Sequence, residues 1–296
     1  MKKSVLVTGT SSGFGKLTVE TLAKDGHKVF ATMRGVNGKN AEAAKGLSDW
    51  AKEHNLNVHV IELDVTSDAS VKAAADEVMS KADTIDVVVN NAGIYAGGFN
   101  ETYTAEDFQR IYDVNTFGPL RVSNAFLPYM RKQGNGLLIH VTTIMASVNI
   151  PFSGVYTSSK YAADAIAESY RYELAPFGID SVIIQPGAFP TEILGKVYEP
   201  SNGAVGEQYG PVMGAVEKVQ QAFANMFEGE AAQNPQDVAD AVKKLIDTPA
   251  GERPLRTVVD KLISQGPEAV NNVTNNVQKQ LLNSMNLAEL ESVKNS

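Results

Sequence analysis

The stretch TGTSSGFG, residues 8–15, constrains the fold of this chain more than any other feature. It follows a short β-branched run, Ser4–Thr8, and opens a segment with helical spacing, Gly13–Lys24. Glycine permits a sharp turn and a close ligand approach, and free N–H groups at a helix start favour a phosphate. The sequence therefore predicts a strand, a glycine turn and a helix that hold a dinucleotide. The residues predicted to bind it are Gly9, Ser11, Ser12, Gly13, Phe14 and Gly15.

Two other interpretations of this turn are less favoured. The glycines could serve only a tight structural turn, but the placement between a strand and a helix is typical of a phosphate site. A Walker-type loop needs a lysine followed by serine or threonine after its glycines, and no such pair follows here.

Short apolar runs continue to alternate with longer helical stretches, which is the βαβ pattern. Several runs are apolar at nearly every position, as expected for parallel strands covered on both faces. No linker or internal repeat divides the chain, so we expect an α/β fold with a mostly parallel sheet. The further predicted strands are Lys28–Thr32, Asn57–Leu63, Asp86–Val89, Gly136–Val141 and Ser181–Gln185.

Charge and composition narrow the class of protein. The chain has 26 basic and 34 acidic residues, a net charge of −8, without the dense basic cluster that tracks a nucleic acid. It has no cysteine and only four scattered histidines, so neither a thiolate site nor a metal site is predicted. No apolar run approaches a membrane span, and the start lacks signal-peptide character. We therefore expect a soluble, cytoplasmic protein with no nucleic-acid or membrane partner.

The end of the second predicted strand, KVFATMRG, bears on the type of dinucleotide. An NAD site commonly supplies a carboxylate here, but Met33 takes that place and Arg34 follows it. An arginine can form a bidentate contact with a 2′-phosphate, which favours NADP(H) while leaving NAD(H) possible. Asp64, after the third strand, could accept from the adenine amino group or cap the next helix.

A second constellation lies in GVYTSSKYAADAIAESYRYEL, residues 154–174. Tyr156 and Lys160 are four residues apart and would be neighbours on one face of a helix. An isolated pair of this kind is most often an ordinary core tyrosine beside a solvated lysine.

Together with TGTSSGFG, four further motifs resemble the short-chain dehydrogenase/reductase family. They are NNAG at 90–93, Asn115 in DVNTFG, YTSSK at 156–160 and PGAFPT at 186–191. The likeness extends from residue 4 to about 260. It implies a single Rossmann-like doubly wound sheet of about seven parallel strands, with Leu255–Val259 last and a substrate lid after the sixth. It also implies a homodimer or homotetramer.

The resemblance also implies a site that moves a hydride and a proton between a carbonyl compound and its alcohol. Tyr156 would be the general acid/base, and Lys160 would lower its pKa and contact the nicotinamide ribose. Asn115 would hold a water linked to Lys160. Thr143, thirteen residues before the tyrosine, takes the place of a family serine, with Thr142 and Ser147 as alternatives. Further cofactor contacts are expected at Val65, Asn91, Ala92, Gly93, Pro186, Gly187 and Thr191.

The substrate is less well defined by the sequence. Apolar and phenolic residues dominate the candidate pocket, which predicts an apolar ketone, aldehyde or alcohol. The likeness to steroid- and retinol-type members is too loose to name one. A catalytically weak, NADP-binding redox sensor remains an alternative function. A serine-type hydrolase based on Thr157 and Lys160 is disfavoured, because its partner motifs are missing.

Two segments near the C-terminus receive separate predictions. Residues 188–230 mix proline, glycine and apolar residues, as a lid over a site does. The catalytic domain is expected to span 1–262 and a helical extension 263–296. In that extension an apolar stripe at helical spacing predicts a helix packed on the body, with a dimer contact as the alternative. The stripe is Val270, Val273, Val277, Leu281 and Met285.

Overall fold

A computed structural model describes residues 2–226 and 232–293. Its centre is a seven-stranded, fully parallel sheet with the strand order β3-β2-β1-β4-β5-β6-β7. This is the doubly wound arrangement that the sequence predicted. The strands are β1 Ser4–Thr8, β2 Lys28–Met33, β3 Val58–Glu62, β4 Val87–Asn90, β5 Gly136–Val141, β6 Ile179–Pro186 and β7 Arg256–Val259.

Helices cover both faces of the sheet, because successive strand residues point to opposite sides. Val5 and Val7 of β1 pack in the layer formed with α1, α2 and α8, while Leu6 packs with α3, α5 and α6. Both layers are fully buried at these positions, which explains the continuous apolar runs in the strands. The α-helices are α1 Gly13–Lys24, α2 Ala41–Glu53, α3 Asp68–Lys81, α4 Ala105–Tyr112, α5 Gly118–Gln133, α6 Gly154–Leu174, α7 Gly210–Met226, α8 Gln236–Asp247 and α9 Gln265–Ser284.

The strand order reverses next to β1, and this positions the site. The chain leaves β1 toward β2 on one side, while β4 lies on the other side. In open parallel sheets the carboxyl ends of the strands at such a reversal form a crevice for ligands. The glycine turn after β1 and the NNAG segment that begins at the end of β4 meet there.

The predicted strands agree with the structure to within one or two residues, and β1 and β5 agree at both ends. The largest difference is β6, which begins at Ile179 rather than at the predicted Ser181. Its second residue, Asp180, is fully buried and forms ion pairs with Arg171 and Arg253. An aspartate is usually a poor strand residue, but these ion pairs stabilise it here and the ladder with β5 includes Ile179 and Asp180.

The lid segment begins after β6 and stands largely clear of the body. It contains 3₁₀ turns at Leu194–Lys196 and Gly203–Tyr209 and then helix α7, none of whose described residues is buried. Residues 227–230 of the predicted lid lie outside the described residues.

The extension forms helix α9, but the predicted packing face is wrong. The apolar stripe points outward, with 64% of Val273 and 58% of Val277 exposed. The helix instead contacts the body through Pro267, Asn271 and Leu282. The hydrogen bonds of buried Asn271 with Ser147 and Gln185 hold this face of the helix, rather than the apolar stripe, against the body. The alternative contact of the stripe with a second copy stays a prediction.

Within the described ranges, no helix has both the length and the apolar character required to cross a membrane.

Candidate active site

A cleft of about 510 Å³ opens at the carboxyl edge of the sheet, between the glycine turn and the start of α6. It brings together predicted residues that are far apart in the sequence. The predicted residues on its wall are Gly9, Ser11, Ser12, Gly13, Phe14, Arg34, Asp64, Val65, Asn91, Ala92, Gly93, Tyr156, Lys160 and Thr191. The predicted residues that do not line the cleft are Gly15, Asn115, Thr143, Pro186 and Gly187.

The glycine turn is held close to the NNAG segment. A Cβ at Gly9 would lie 2.8 Å from the Cα of Ala92, and the φ of +71° at Gly9 also favours glycine. Asn91 fixes the contact by donating from Nδ2 to the carbonyls of Thr8 and Gly9, at 2.9 and 3.2 Å. At Gly13, by contrast, an added Cβ would meet its first neighbour only at 3.6 Å. The turn therefore packs closely against the NNAG segment at Gly9 and leaves space at Gly13. This arrangement fits a pyrophosphate at the N-terminus of α1.

The opposite end of the cleft is basic. Arg34 and Lys39 line it from the turn after β2, and Lys196 lines it from the lid. Burial lowers the pKa of Lys39, and the neighbouring Arg34 charge lowers it further. Glu62 supports this turn, since its carboxylate accepts the N–H groups of Gly35 and Val36 at 2.6 and 2.7 Å. The sequence predicted Arg34 but missed Lys39 and Lys196.

Asp64 lines the cleft and also shapes the local backbone. Its Oδ1 accepts from the N–H and the hydroxyl of Thr66 at 3.0 and 2.8 Å. Burial alone would raise the pKa of Asp64, but these two hydrogen bonds lower it overall. The cap of helix α3 is Ser67 rather than Asp64.

Tyr156 and Lys160 lie in the first two turns of α6 and are almost fully buried at the cleft floor. Burial lowers the pKa of Lys160 to about 8, and its Nζ donates to the carbonyl of Val141 at 3.2 Å. Burial likewise raises the pKa of Tyr156, the nearby Tyr95 adds to this, and the Thr143 hydroxyl opposes it. Desolvation therefore dominates the phenol pKa in this structure, and the stabilising effect of Lys160 on the phenolate stays a prediction.

The structure separates the three candidate hydroxyls. Only Thr143 interacts with the Tyr156 phenol among them. Thr142 lines the cleft, but its hydroxyl interacts with the Ile184 carbonyl at 3.4 Å and with Asp164, and Ser147 donates to Asn271 at 2.9 Å. Thr143 is held by the N–H of Met145, whose hydrogen bond to the threonine hydroxyl measures 3.2 Å.

Asn115 lies in a π-helical turn, Asp113–Phe117, between α4 and α5. Its Nδ2 donates to the Ile94 carbonyl and to Ser159, both at 3.0 Å. A Cβ at Gly93 would lie 3.3 Å from Asn115 Oδ1 and 3.4 Å from Lys160 Nζ. Asn115 therefore sits beside the Lys160 ammonium, with its side chain engaged in fixing the neighbouring backbone.

Pro186 and Gly187 end β6 directly behind the cleft. The Gly187 N–H donates to the Val259 carbonyl at 2.9 Å, and a Cβ there would collide with Asp260. Thr191 follows on the wall, 3.6 Å from where a Cβ of Gly13 would lie. The start of the lid thus crosses from the end of β6 to the glycine turn.

One group of possible metal ligands occurs among the described residues, away from the cleft: Asp25, His27 and Asp247. His27 Nδ1 accepts the N–H of Lys3 at 3.0 Å, so a neutral ring carries its proton on Nε2, facing Asp25 at 3.2 Å. Lys243 contacts both carboxylates. This group is an ion-pair cluster, and metal-independent function stays a prediction.

Comparisons with known proteins assign the chain to a family. A family model described as short chain dehydrogenase matches residues 3–202. The chain belongs to this family of oxidoreductases.

Two curated relatives illustrate the range of the family. The uncharacterized oxidoreductase YusZ of Bacillus subtilis is 35% identical over 82% of this chain and 84% of its own length. Human 17-beta-hydroxysteroid dehydrogenase type 1 is 32% identical over 83% of this chain and 74% of its own length.

Solved structures show the same fold. A short-chain dehydrogenase from Streptomyces avermitilis is 28% identical, has a TM-score of 0.73 and aligns over 97% of this chain and 98% of its own. An alcohol dehydrogenase from Thermococcus sibiricus, complexed with 5-hydroxy-NADP, is 26% identical with a TM-score of 0.69, over 88% and 97%.

Proposed function

We propose that this chain is an NADP(H)-dependent oxidoreductase that interconverts an apolar ketone or aldehyde and its alcohol, with Tyr156 as general acid/base. The observation that carries the proposal is the placement of Tyr156 and Lys160 at the floor of the cleft that the glycine turn opens, with the Thr143 hydroxyl beside the Tyr156 phenol. A bound nicotinamide would supply or accept the hydride, so the protein has to manage the proton.

Tyr156 is suited to donate that proton during reduction. Its raised pKa keeps the phenol protonated near neutrality, so it enters the reaction as an acid. The hydroxyl of Thr143 can orient the substrate oxygen beside it. Lys160, with a pKa of about 8, is mostly charged at neutral pH and can stabilise the phenolate that forms.

The preference for NADP(H) is supported by the basic end of the cleft. Arg34, Lys39 and Lys196 would surround a 2′-phosphate, and Met33 lines the cleft where a carboxylate would favour NAD. The nearby Glu62 is occupied by backbone N–H groups of the same turn. Exchange of Arg34 for alanine should therefore weaken NADPH binding while leaving NADH binding nearly unchanged.

The substrate side of the site is apolar and aromatic. Tyr95 packs against Tyr156 with ring centroids 5.0 Å apart, and Phe99 contacts both Phe152 and Tyr209. Such walls favour apolar ligands with few polar groups. The human relative named above is a hydroxysteroid dehydrogenase, so polycyclic alcohols belong in the test panel beside aliphatic and aromatic carbonyls.

A spectrophotometric screen tests cofactor and substrate class together, following oxidation of NADPH and NADH with the carbonyls and reduction of NADP⁺ and NAD⁺ with the alcohols. The Tyr156→Phe variant should lose roughly 10³-fold in turnover, the scale of general acid catalysis, while still binding NADPH. Tyr161→Phe, an exposed position on the same helix, is the matched control and should keep its rate. An unchanged rate in Tyr156→Phe would refute the mechanism, and tight NADPH binding without turnover on any substrate would favour the redox sensor.

A further inference from the structure

Helix α6 carries a third ionisable residue on the face that holds Tyr156 and Lys160. Asp164 follows Lys160 by four residues, so the three side chains are stacked along successive turns. Asp164 is only 4% exposed, and its charge is the factor that raises the pKa of Lys160 against burial. The ionisation of Asp164 therefore bears directly on the charge of Lys160.

A closed ring of hydrogen bonds links Asp164 to the C-terminal helix α9. Gln185, on β6, donates from Nε2 to Asp164 Oδ2 at 2.8 Å and to Ser147 Oγ at 3.1 Å. Asn271, on α9, donates from Nδ2 to Gln185 Oε1 at 2.7 Å and accepts from Ser147 Oγ at 2.9 Å. Gln185 and Asn271 are buried, which makes each of these bonds costly to leave unmade.

Asn271 fixes which end of the Gln185 amide faces Asp164. A glutamine amide can present either its NH₂ or its oxygen, and its partners decide between them. With Asn271 donating to Oε1, the NH₂ group is directed at the carboxylate and stabilises its charged form. Without that donor, the Gln185 amide can rotate and place its oxygen against the Asp164 carboxylate, which favours a protonated Asp164.

The site is sensitive to such a change. Burial raises the pKa of Asp164 to about 6, although the Thr142 hydroxyl, the Arg256 charge and the Gln185 amide all lower it. The other charges near this pair are Arg256 of β7, 3.8 Å from Asp164 Oδ2, and Glu168 of α6, which pairs with Arg256. His140 of β5 lies near Lys160 with its pKa lowered by burial to about 4, so it stays neutral. From α9, the contacts to this cluster come from the neutral amides of Asn271 and Asn275.

We propose that helix α9 sets the protonation of Lys160 through this ring, with Asn271 as a positioning residue for Asp164. The role assigned to Lys160 rests on the proposed function, but its titration can be measured without turnover. This role accounts for the buried amide of Asn271 in the docking face of α9.

We call the link from α9 through Asn271, Gln185 and Asp164 to Lys160 the relay. Asp164→Asn tests it most directly, because the substitution keeps the shape of the side chain and removes its charge. The Lys160 pKa should fall by about one pH unit, the effect of losing one nearby opposite charge. Asn271→Leu should lower it in the same direction by about half as much, because Asp164 is then only partly ionised. Asn272→Leu changes an exposed neighbour on the same helix and should have no effect.

The titration is followed by ¹³C NMR of ε-labelled lysine in protein without nucleotide, with the Lys160 signal assigned from a Lys160→Arg variant. In the turnover assay, the basic limb of the pH profile of kcat/KM should move down in parallel. Asn271→Ala replaces Asn271→Leu if the leucine variant does not fold.

The outcomes separate the two proposals. An unchanged Lys160 titration in folded Asp164→Asn, or in a folded Asn271 variant, overturns the relay whatever the turnover. Titration shifts as expected in a protein that turns over no substrate support the relay and count against the proposed oxidoreductase.

Discussion

The two halves of the cleft are built in opposite ways. In the cofactor half, the glycines that face the NNAG segment leave no spare volume, and a Cβ at Gly15 would lie 2.5 Å from Asn91 Nδ2. In the proposed substrate half, which includes the predicted lid, helix α7 buries none of its described residues, and a Cβ at Gly214 would meet nothing within 4 Å. The first half is fixed by close contacts between backbone segments, whereas the second is free to vary without disturbing the sheet.

The lid is nevertheless fastened at its base by one buried carboxylate. Asp107, in the first turn of α4, forms a capping box with Thr104. The same carboxylate accepts from the N–H and hydroxyl of Ser201 at 3.0 and 2.7 Å and from the hydroxyl of Tyr198 at 2.9 Å. Loss of this anchor should loosen the lid while leaving the cofactor half intact.

The same substitution made in each half gives the largest contrast. Gly15→Ala should lower the free energy of unfolding by about 3 kcal/mol, because the new methyl collides with the carbonyl of Gly9. NADPH binding should be lost with it. Gly214→Ala adds a methyl in open space within a helix and should raise stability by up to about 1 kcal/mol. Chemical denaturation and a nucleotide-binding titration measure both, and similar results for the two variants would disprove the contrast.

Asp107→Asn should have the next largest effect. The amide offers one acceptor oxygen where the carboxylate serves three residues, so about 2 kcal/mol of stability should be lost. Hydrogen exchange should increase in residues 198–201, and NADPH affinity should stay unchanged. Glu106→Gln, an exposed neighbour in the same turn, is the control. Lower NADPH affinity in the Asp107 variant would show that the two halves are coupled.

The cofactor half was the part that the sequence could predict. Its strand, glycine turn and helix depend on local spacing, and β1 and α1 begin and end at the predicted residues. The basic end of the cleft shows what local spacing in the sequence cannot predict. Arg34 directly follows β2 and was found, whereas Lys196 comes from the lid and reaches the cleft only in the folded chain.

Helix α9 shows why the rest could not be predicted. Its apolar stripe indicated a buried face, but the helix docks through Asn271, whose partners Ser147 and Gln185 are about a hundred residues away in sequence. No local pattern encodes a satisfied buried amide. The raised pKa of Tyr156 has the same origin, since burial depends on the whole fold.

Lowering the pH should also affect the two halves differently, with a smaller change in the free energy of unfolding than the substitutions above. Burial lowers the pKa of His27, between α1 and β2, below its value in the unfolded chain. As the pH falls below about 6.5, the unfolded chain gains a proton that folded His27 resists, so stability decreases toward the folded pKa. Buried His140 adds to this decrease with the same sign. Asp107 behaves differently: burial alone would raise its pKa, but the hydrogen bonds from Ser201 and Thr104 hold it well below its usual range.

The contribution of Asp107 should therefore persist until the pH falls below about 4, the unfolded value for aspartate. Between pH 7 and about pH 5, denaturant unfolding should show a loss of stability that His27→Gln reduces and Asp107→Asn leaves unchanged. His54→Gln, which changes an exposed histidine, is the control for loss of an imidazole. If His27→Gln has the same pH dependence as the parent chain, the Lys3 N–H does not hold His27 neutral, and the acid sensitivity of this half has another source.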